Sequence, residues 1–247
     1  MRYLITFSYD GSKYNGYQKQ PDKRTIQGEL ENVLTKLNHG EEVHIVASGR
    51  TDAGVHANNQ KAHFDLMDEF DIEKLRRSLN KMISKDIYIK NIKKVGMDFH
   101  ARFDVVCKEY CYKINMGDYN PIEKDYVLQY NKKLDTVEME RALKYLEGTH
   151  NFKSFAKASD KRDTYERTII QANLIRDHKD INHISIVFLG TGFLRYMVRN
   201  LVGTLIEIGE GKRKSEEIIS ILKSEDRKNA GKTAPACGLY LNDVIYR

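Results

Sequence analysis

The sequence predicts an α+β protein of two ferredoxin-like (split βαβ) halves, their antiparallel or mixed sheets joined around a central cleft. Three observations lead there. Strand-like and helix-like apolar patterns alternate along all 247 residues. The order β-α-β-β-α-β can be read twice. No Pro/Gly/Ser-rich linker or low-complexity stretch interrupts it. The first half takes residues 1–102 and the second 103–247, with the divide near 97–104 and no residue-level repeat relating the two. Halves of this kind carry helices on one sheet face and leave the other open, so joined sheets would frame a cleft for a large ligand.

Residues 2–9 alternate apolar and polar and read as a strand. Thr25 then caps a helix whose Ile26, Leu30, Val33, Leu34 and Leu37 share one face, and Asn38-His39-Gly40 ends it. Residues 43–47 and 59–65 read as neighbouring strands. A second helix shows Ile72, Leu75, Leu79 and Met82 on one side, and the β-branched run 87–95 closes the half. The second half opens with a long strand over 104–116. Asp135 with Glu138 has the spacing of a capping box. Strands are expected at about 164–176 and 181–189, and a long helix over 192–209 with Phe193, Met197, Leu201, Leu205 and Ile208 on its core face. A short helix near 215–223 precedes a last strand at 238–246.

Composition narrows the function class. Hydrophobic residues make up 40% and charged residues 31%, the balance of a soluble globular protein. No run of roughly 18 apolar residues exists, which excludes a membrane-spanning helix. The N-terminus lacks the apolar core of a secretory signal. Cys107, Cys111 and Cys237 form an odd set without a CxxC pair, which fits a reducing, cytoplasmic setting. A net charge of +6 suits a polyanionic partner, although charge alone leaves the question even.

The most unusual stretch is Ser48-Gly49-Arg50-Thr51-Asp52-Ala53-Gly54-Val55-His56. Between two strands it sets Arg50, Asp52 and His56 among three small residues. A carboxylate held there beside Arg50 would stay ionised at neutral pH, as a nucleophile or base requires. By spacing alone, a tight turn in which Asp52 binds its own backbone amides is the commoner arrangement. Ser48, Asp52 and His56 also suggest a triad, but triads are spatial and the nucleophile elbow is missing. The eight histidines have no zinc-site spacing, so no metal is expected. Gly209-Glu210-Gly211-Lys212 lacks the first Gly and the Ser/Thr of a P-loop. On the long strand, alternation puts Tyr110, Tyr112 and Ile114 on one face, where the rings could stack bases or could fill a core. Arg195 and Arg199, four apart in the expected helix, would share one side, with Arg199 among apolar neighbours that imply partial burial.

Together with Tyr9-Asp10-Gly11-Ser12, Gly16-Tyr17-Gln18-Lys19-Gln20, Thr25 through Leu30, Asp98 through Phe103, Lys108 through Tyr112, Asn151 through Phe155, Phe193 through Gly203, Thr233-Ala234-Pro235 and Gly238 through Leu241, this loop resembles the tRNA pseudouridine synthase A family nearly end to end. The resemblance implies a cofactor-free isomerase that detaches uracil from C1′ of a uridine in RNA and rejoins it through C5. It implies Asp52 as the catalytic aspartate, Tyr110 as the tyrosine against the target base, and Arg199 as the arginine paired with that aspartate. Arg50 would contact the nucleotide, and Tyr112 is a further candidate for binding it. The implied substrate is tRNA at uridines 38 to 40 of the anticodon stem-loop, and the implied state a cytoplasmic homodimer. Two departures stand out: Tyr17 occupies a position where the family commonly has Trp, and Met82-Ile83 follows Asn80 where Leu-Pro is usual. A paralogue acting on ribosomal RNA, a non-catalytic RNA-binding protein and a base-releasing glycosidase are the alternatives, the last disfavoured because the sequence offers no obvious second carboxylate to work with Asp52.

Overall fold

The N-terminal alternation becomes a strand, β1 (Arg2–Tyr9), with Tyr3, Ile5, Phe7 and Tyr9 all buried. In this computed structural model, which describes residues 1–159 and 161–247, the chain forms two compact units. One comprises Met1–Val106 with Tyr240–Arg247, the other Cys107–Leu239.

In the first unit, α1 (Ile26–Leu37) starts where Thr25 accepts the Gly28 N–H, and its buried stripe includes Ile26, Leu30, Val33 and Leu34. The strand expected over 43–47 shrinks to β2 (Val46–Ala47). Its first N–H groups have gone elsewhere: Val43 donates to Thr35 Oγ1 and Ile45 to Glu31 Oε1, both on α1. β3 (His56–Asp65) starts three residues earlier than expected. α2 (Ile72–Met82), capped by Asp71, buries Leu75 and Leu79 but leaves Met82 exposed. β4 (Ile87–Lys94) follows. β1 lies between β3 and β4, antiparallel to both, and β2 pairs antiparallel with β3, which is the split-βαβ strand order. A bulge between the Phe7–Gln60 and Tyr9–Ala57 pairs bends β3 as it enters from the Asp52 loop.

In the second unit, β5 (Val105–Asn115) pairs antiparallel with β9 (His183–Gly190) and parallel with a two-residue strand, β6 (Leu128–Gln129). α3 (Thr136–Lys144) is capped by Asp135, which accepts from the Val137 and Glu138 N–H groups. The capping box is only half made. Asp135 donates its own N–H to Gly209, and the Glu138 carboxylate pairs with Arg141 instead. β7 (Gly148–Asn151), which the apolar pattern did not foretell, adds antiparallel to β8 (Glu166–Arg176), and β8 pairs with β9. α4 (Met197–Gly209) and α5 (Glu217–Ser224) complete the unit. Phe152, Phe155, Ile186, Phe188, Leu201 and Leu205 form its core.

Two further differences concern the expected second half, 103–247. The long helix begins at Met197, not 192, because Tyr196 adopts a left-handed conformation (φ 65°) and the Arg195 carbonyl accepts from Lys157 rather than from the next helical turn. Arg195 therefore lies outside the helix and is exposed, while Arg199 is half-buried in its first turn, so the two do not share a helix face. The last strand, β10 (Leu239–Tyr246), runs parallel to β3 through Tyr240–His56 and Leu241–Ala57, and its residues 240–247 cluster with the first unit. The three cysteines form no disulfide.

Candidate active site

In the first unit, the loop from Ser48 to His56 is braced from below by side chains that water does not reach. Ser48 donates to Gln60 Oε1 at 2.7 Å, and Gln60 donates on to the Gly49 carbonyl at 3.0 Å. The Thr51 hydroxyl meets the Tyr9 hydroxyl at 2.8 Å. His56 Nδ1 accepts the Gly11 N–H at 3.1 Å, and its ring stacks on Tyr240 with centroids 4.8 Å apart. Accepting through Nδ1 leaves that atom unprotonated, so the Asp10 carboxylate 3.3 Å away is a neighbour rather than an acceptor for it. Ser48 is thus tied to Gln60, and His56 to Gly11.

A second segment, residues 10–17, presses on the same loop. Gly16 (φ 91°) lies so close that a Cβ there would meet Thr51 O at 3.0 Å and Ala53 N at 3.2 Å; a Cβ at Gly11 would meet Val55 O at 2.0 Å. Tyr17 donates its N–H to Thr51 O, and Gly54 (φ 77°) donates to Tyr14 O. Glycine is required at Gly11 and Gly16 because backbone passes against backbone. Asp52 is half-buried on this platform, its carbonyl accepting from Val55 N, and Arg50 stands exposed two residues before it. The spacing argument missed Tyr9, Gly11, Gly16 and Gln60 as parts of the site. The signal for the first three was the pair of short blocks Tyr9–Ser12 and Gly16–Gln20; Gln60 lay in neither.

In the second unit, Tyr110 pairs with Phe188 along β5 and is half-buried, its ring edge-on to Phe193 at 5.1 Å. Tyr112 departs from the expected base contact. It is 0% exposed, its hydroxyl donates to Pro235 O at 2.8 Å, and burial pushes its pKa far up. No ring surface remains on which a base could stack; of the two tyrosines the alternation aligned, only Tyr110 offers one.

Arg199 donates Nε to Ala234 O at 2.7 Å, and Ala234 returns its N–H to the Arg199 carbonyl at 3.0 Å. The strap 230–235 that carries Ala234 is itself pinned. Buried Asn200 accepts from Thr233 and Arg227 and donates to Phe155 O, and Thr204 Oγ1 accepts the Gly231 N–H. Beneath it Gly203 leaves no room, since a Cβ would sit 1.6 Å from Lys232 O. Tyr196, whose left-handed backbone costs a non-glycine residue roughly 1–2 kcal/mol, has its ring 5.1 Å from Arg199 Cζ, 5.4 Å from Arg195 Cζ and 5.7 Å from Lys157 Nζ. Among the described residues, no three His, Cys, Asp or Glu side chains gather as a metal site would need.

A family model described as tRNA pseudouridine synthase matches residues 5–104 and 142–247. The tRNA pseudouridine synthase A of a Geobacillus species is 43% identical over 246 residues, covering 99% of this chain and 98% of that protein. Those of Latilactobacillus sakei and Streptococcus mutans are 40% and 41% identical over 247 residues, each covering 100% of this chain and 99% of the relative. A crystal structure of a Cbf5-Nop10-Gar1 complex aligns with 85% of this chain and 55% of its own, at 12% identity and a TM-score of 0.35.

Proposed function

The chain belongs to the tRNA pseudouridine synthase family, and on that premise we propose that its targets are uridines 38 to 40 of the tRNA anticodon stem-loop. It is an RNA-modifying enzyme, an isomerase that converts uridine to pseudouridine in tRNA. The observation that carries the activity is identity of 40% or more with such synthases over the whole chain.

The isomerisation breaks the bond between C1′ and N1 of uracil, turns the base and forms a bond from C1′ to C5; the C5 proton leaves and N1 ends protonated. Positive character builds at C1′ as the first bond breaks, so an ionised carboxylate beside the sugar stabilises it. We assign that carboxylate to Asp52. A rigid, glycine-floored platform supports the assignment, since a catalytic group held in place loses no reorganisation energy. Tyr110, half-buried with Phe193 at its edge, is proposed to lie against the flipped base and help remove the C5 proton. Arg199, oriented by Ala234, is proposed to pair with the catalytic aspartate, and Arg50 to contact the nucleotide. The target must leave its stack, at roughly a few kcal/mol recovered through stacking and phosphate contacts. The resemblance also supports a homodimer working in the cytoplasm on one tRNA; a monomeric mass by sedimentation overturns the dimer.

The test is direct. Purified protein incubated with unmodified tRNA transcripts is expected to produce pseudouridine at 38 to 40, and Asp52→Ala to produce none while still binding tRNA. Turnover by the variant would remove Asp52 from the chemistry. Product confined to other tRNA positions, or to a ribosomal RNA transcript, would overturn the proposed target.

A further inference from the structure

Arg199 can serve chemistry only if its guanidinium is aimed, and a long side chain in a first helical turn has many rotamers to lose. One restraint is the hydrogen bond from Nε to Ala234 O, which anchors the stem end of the guanidinium plane. A second comes from Tyr196. Among the described residues the non-glycine positions with positive φ are Asp22, His39, Asn131, Glu225 and Tyr196. The first four are small polar or surface residues of the kind turns favour. Tyr196 is the bulkiest residue of the set and the one that is not exposed, it provides no side-chain cap to α4, and it is not part of the core. A bulky residue in that conformation persists only where something else holds it there. Here the ring takes Arg199 Cζ at 5.1 Å, with Arg195 and Lys157 within 6 Å of the same centroid.

We propose that Tyr196 is a positioning residue: its ring, turned back by the left-handed backbone, holds the Arg199 guanidinium in its working orientation. The inference rests on the assignment of Arg199 to the reaction. Cation–π attraction is strongest at the ring and needs no hydroxyl, so Phe is expected to substitute and smaller residues are not. Glycine at this position separates the two parts of the idea, because it adopts the left-handed conformation without strain yet has no ring.

Steady-state and single-turnover rates on a tRNA transcript, with tRNA affinity and melting temperature alongside, test it on Y196F, Y196A, Y196G and R199A. Y196F is expected to stay within about twofold of wild type, and Y196G and Y196A to lose about tenfold in turnover, the scale of one cation–π contact. KM and tRNA affinity should hardly move, Y196G should melt no lower than Y196A, and Y196G combined with R199A should be no slower than R199A alone. Wild-type turnover in folded Y196G, a Y196F loss equal to that of Y196A, or additive loss in the double variant would each overturn the proposal. Full turnover in R199A would instead sink the assignment of Arg199 on which it rests.

Discussion

Tyr17 stands where the resemblance leads one to expect Trp, and the fold buries it to 2% exposure with a hydroxyl that has no hydrogen-bond partner among the described residues. Burial first, then the nearby Tyr9 and Glu31, drive its pKa well up. The contact to Thr51 is made by the Tyr17 backbone, so the hydroxyl takes no part in it. Tyr17→Phe should therefore stabilise the protein by about 1 kcal/mol, the cost of a buried unsatisfied hydroxyl. A urea midpoint that fails to rise would mean the hydroxyl is satisfied in solution. His63 gives the pH dependence. It is 5% exposed, its Nδ1 accepts from Ala101, and burial, then Arg2 and His100, lower its pKa from 6.5 to about 4. The folded state thus binds this proton less readily than the unfolded one. The contribution is intact above pH 6.5 and is lost as pH falls toward 4, by about 3 kcal/mol across the window. Thermal melts from neutral to acid pH should show wild type losing more stability than His63→Asn; parallel curves would contradict the assignment.

At the level of elements, α4 and the strap over it act as one part. Gly203 lets the strap lie against the helix, Asn200 and Thr204 bond it there, and Ala234 then reaches Arg199. Gly203→Ala should cost about 1–3 kcal/mol by overpacking and should lower turnover more than tRNA affinity, because the strap shifts and Arg199 loses its acceptor. Unchanged turnover in the folded variant would separate the strap from the chemistry. The same helix shows where periodicity misleads. Phe193 fits the apolar stripe of the expected helix, yet it belongs to the turn before α4 and meets Tyr110. Hydrophobic spacing records burial, and a buried turn feeding a helix has the same spacing as one more helical turn. Similarly, Val43 and Ile45 are buried like strand residues while their N–H groups bond to α1 side chains.

For the whole molecule, a net charge of +6 suits a polyanionic substrate such as tRNA. tRNA affinity should fall by at least about tenfold between low and physiological salt as released counterions lose their advantage. Asp52→Ala should show the same logarithmic slope, since the place proposed for Asp52, at the sugar carbon, adds no phosphate contact. Salt-independent binding would exclude phosphate neutralisation as its basis. The sequence by itself determined the α+β class, nearly every long element, the family and Asp52 as the first candidate. The class and the elements follow from local periodicity and caps such as Thr25 and Asp135; the family and Asp52 came from the resemblance of many short blocks in order, since spacing alone favours a structural turn at Asp52. Only the tertiary structure decided that Tyr112 is buried, that Arg195 leaves the helix of Arg199, that residues 240–247 return to the first unit, and that Gly11 and Gly16 floor the Asp52 loop. Each depends on chain segments far apart in sequence meeting in space, and alternation or spacing carries no record of which distant backbone will lie alongside.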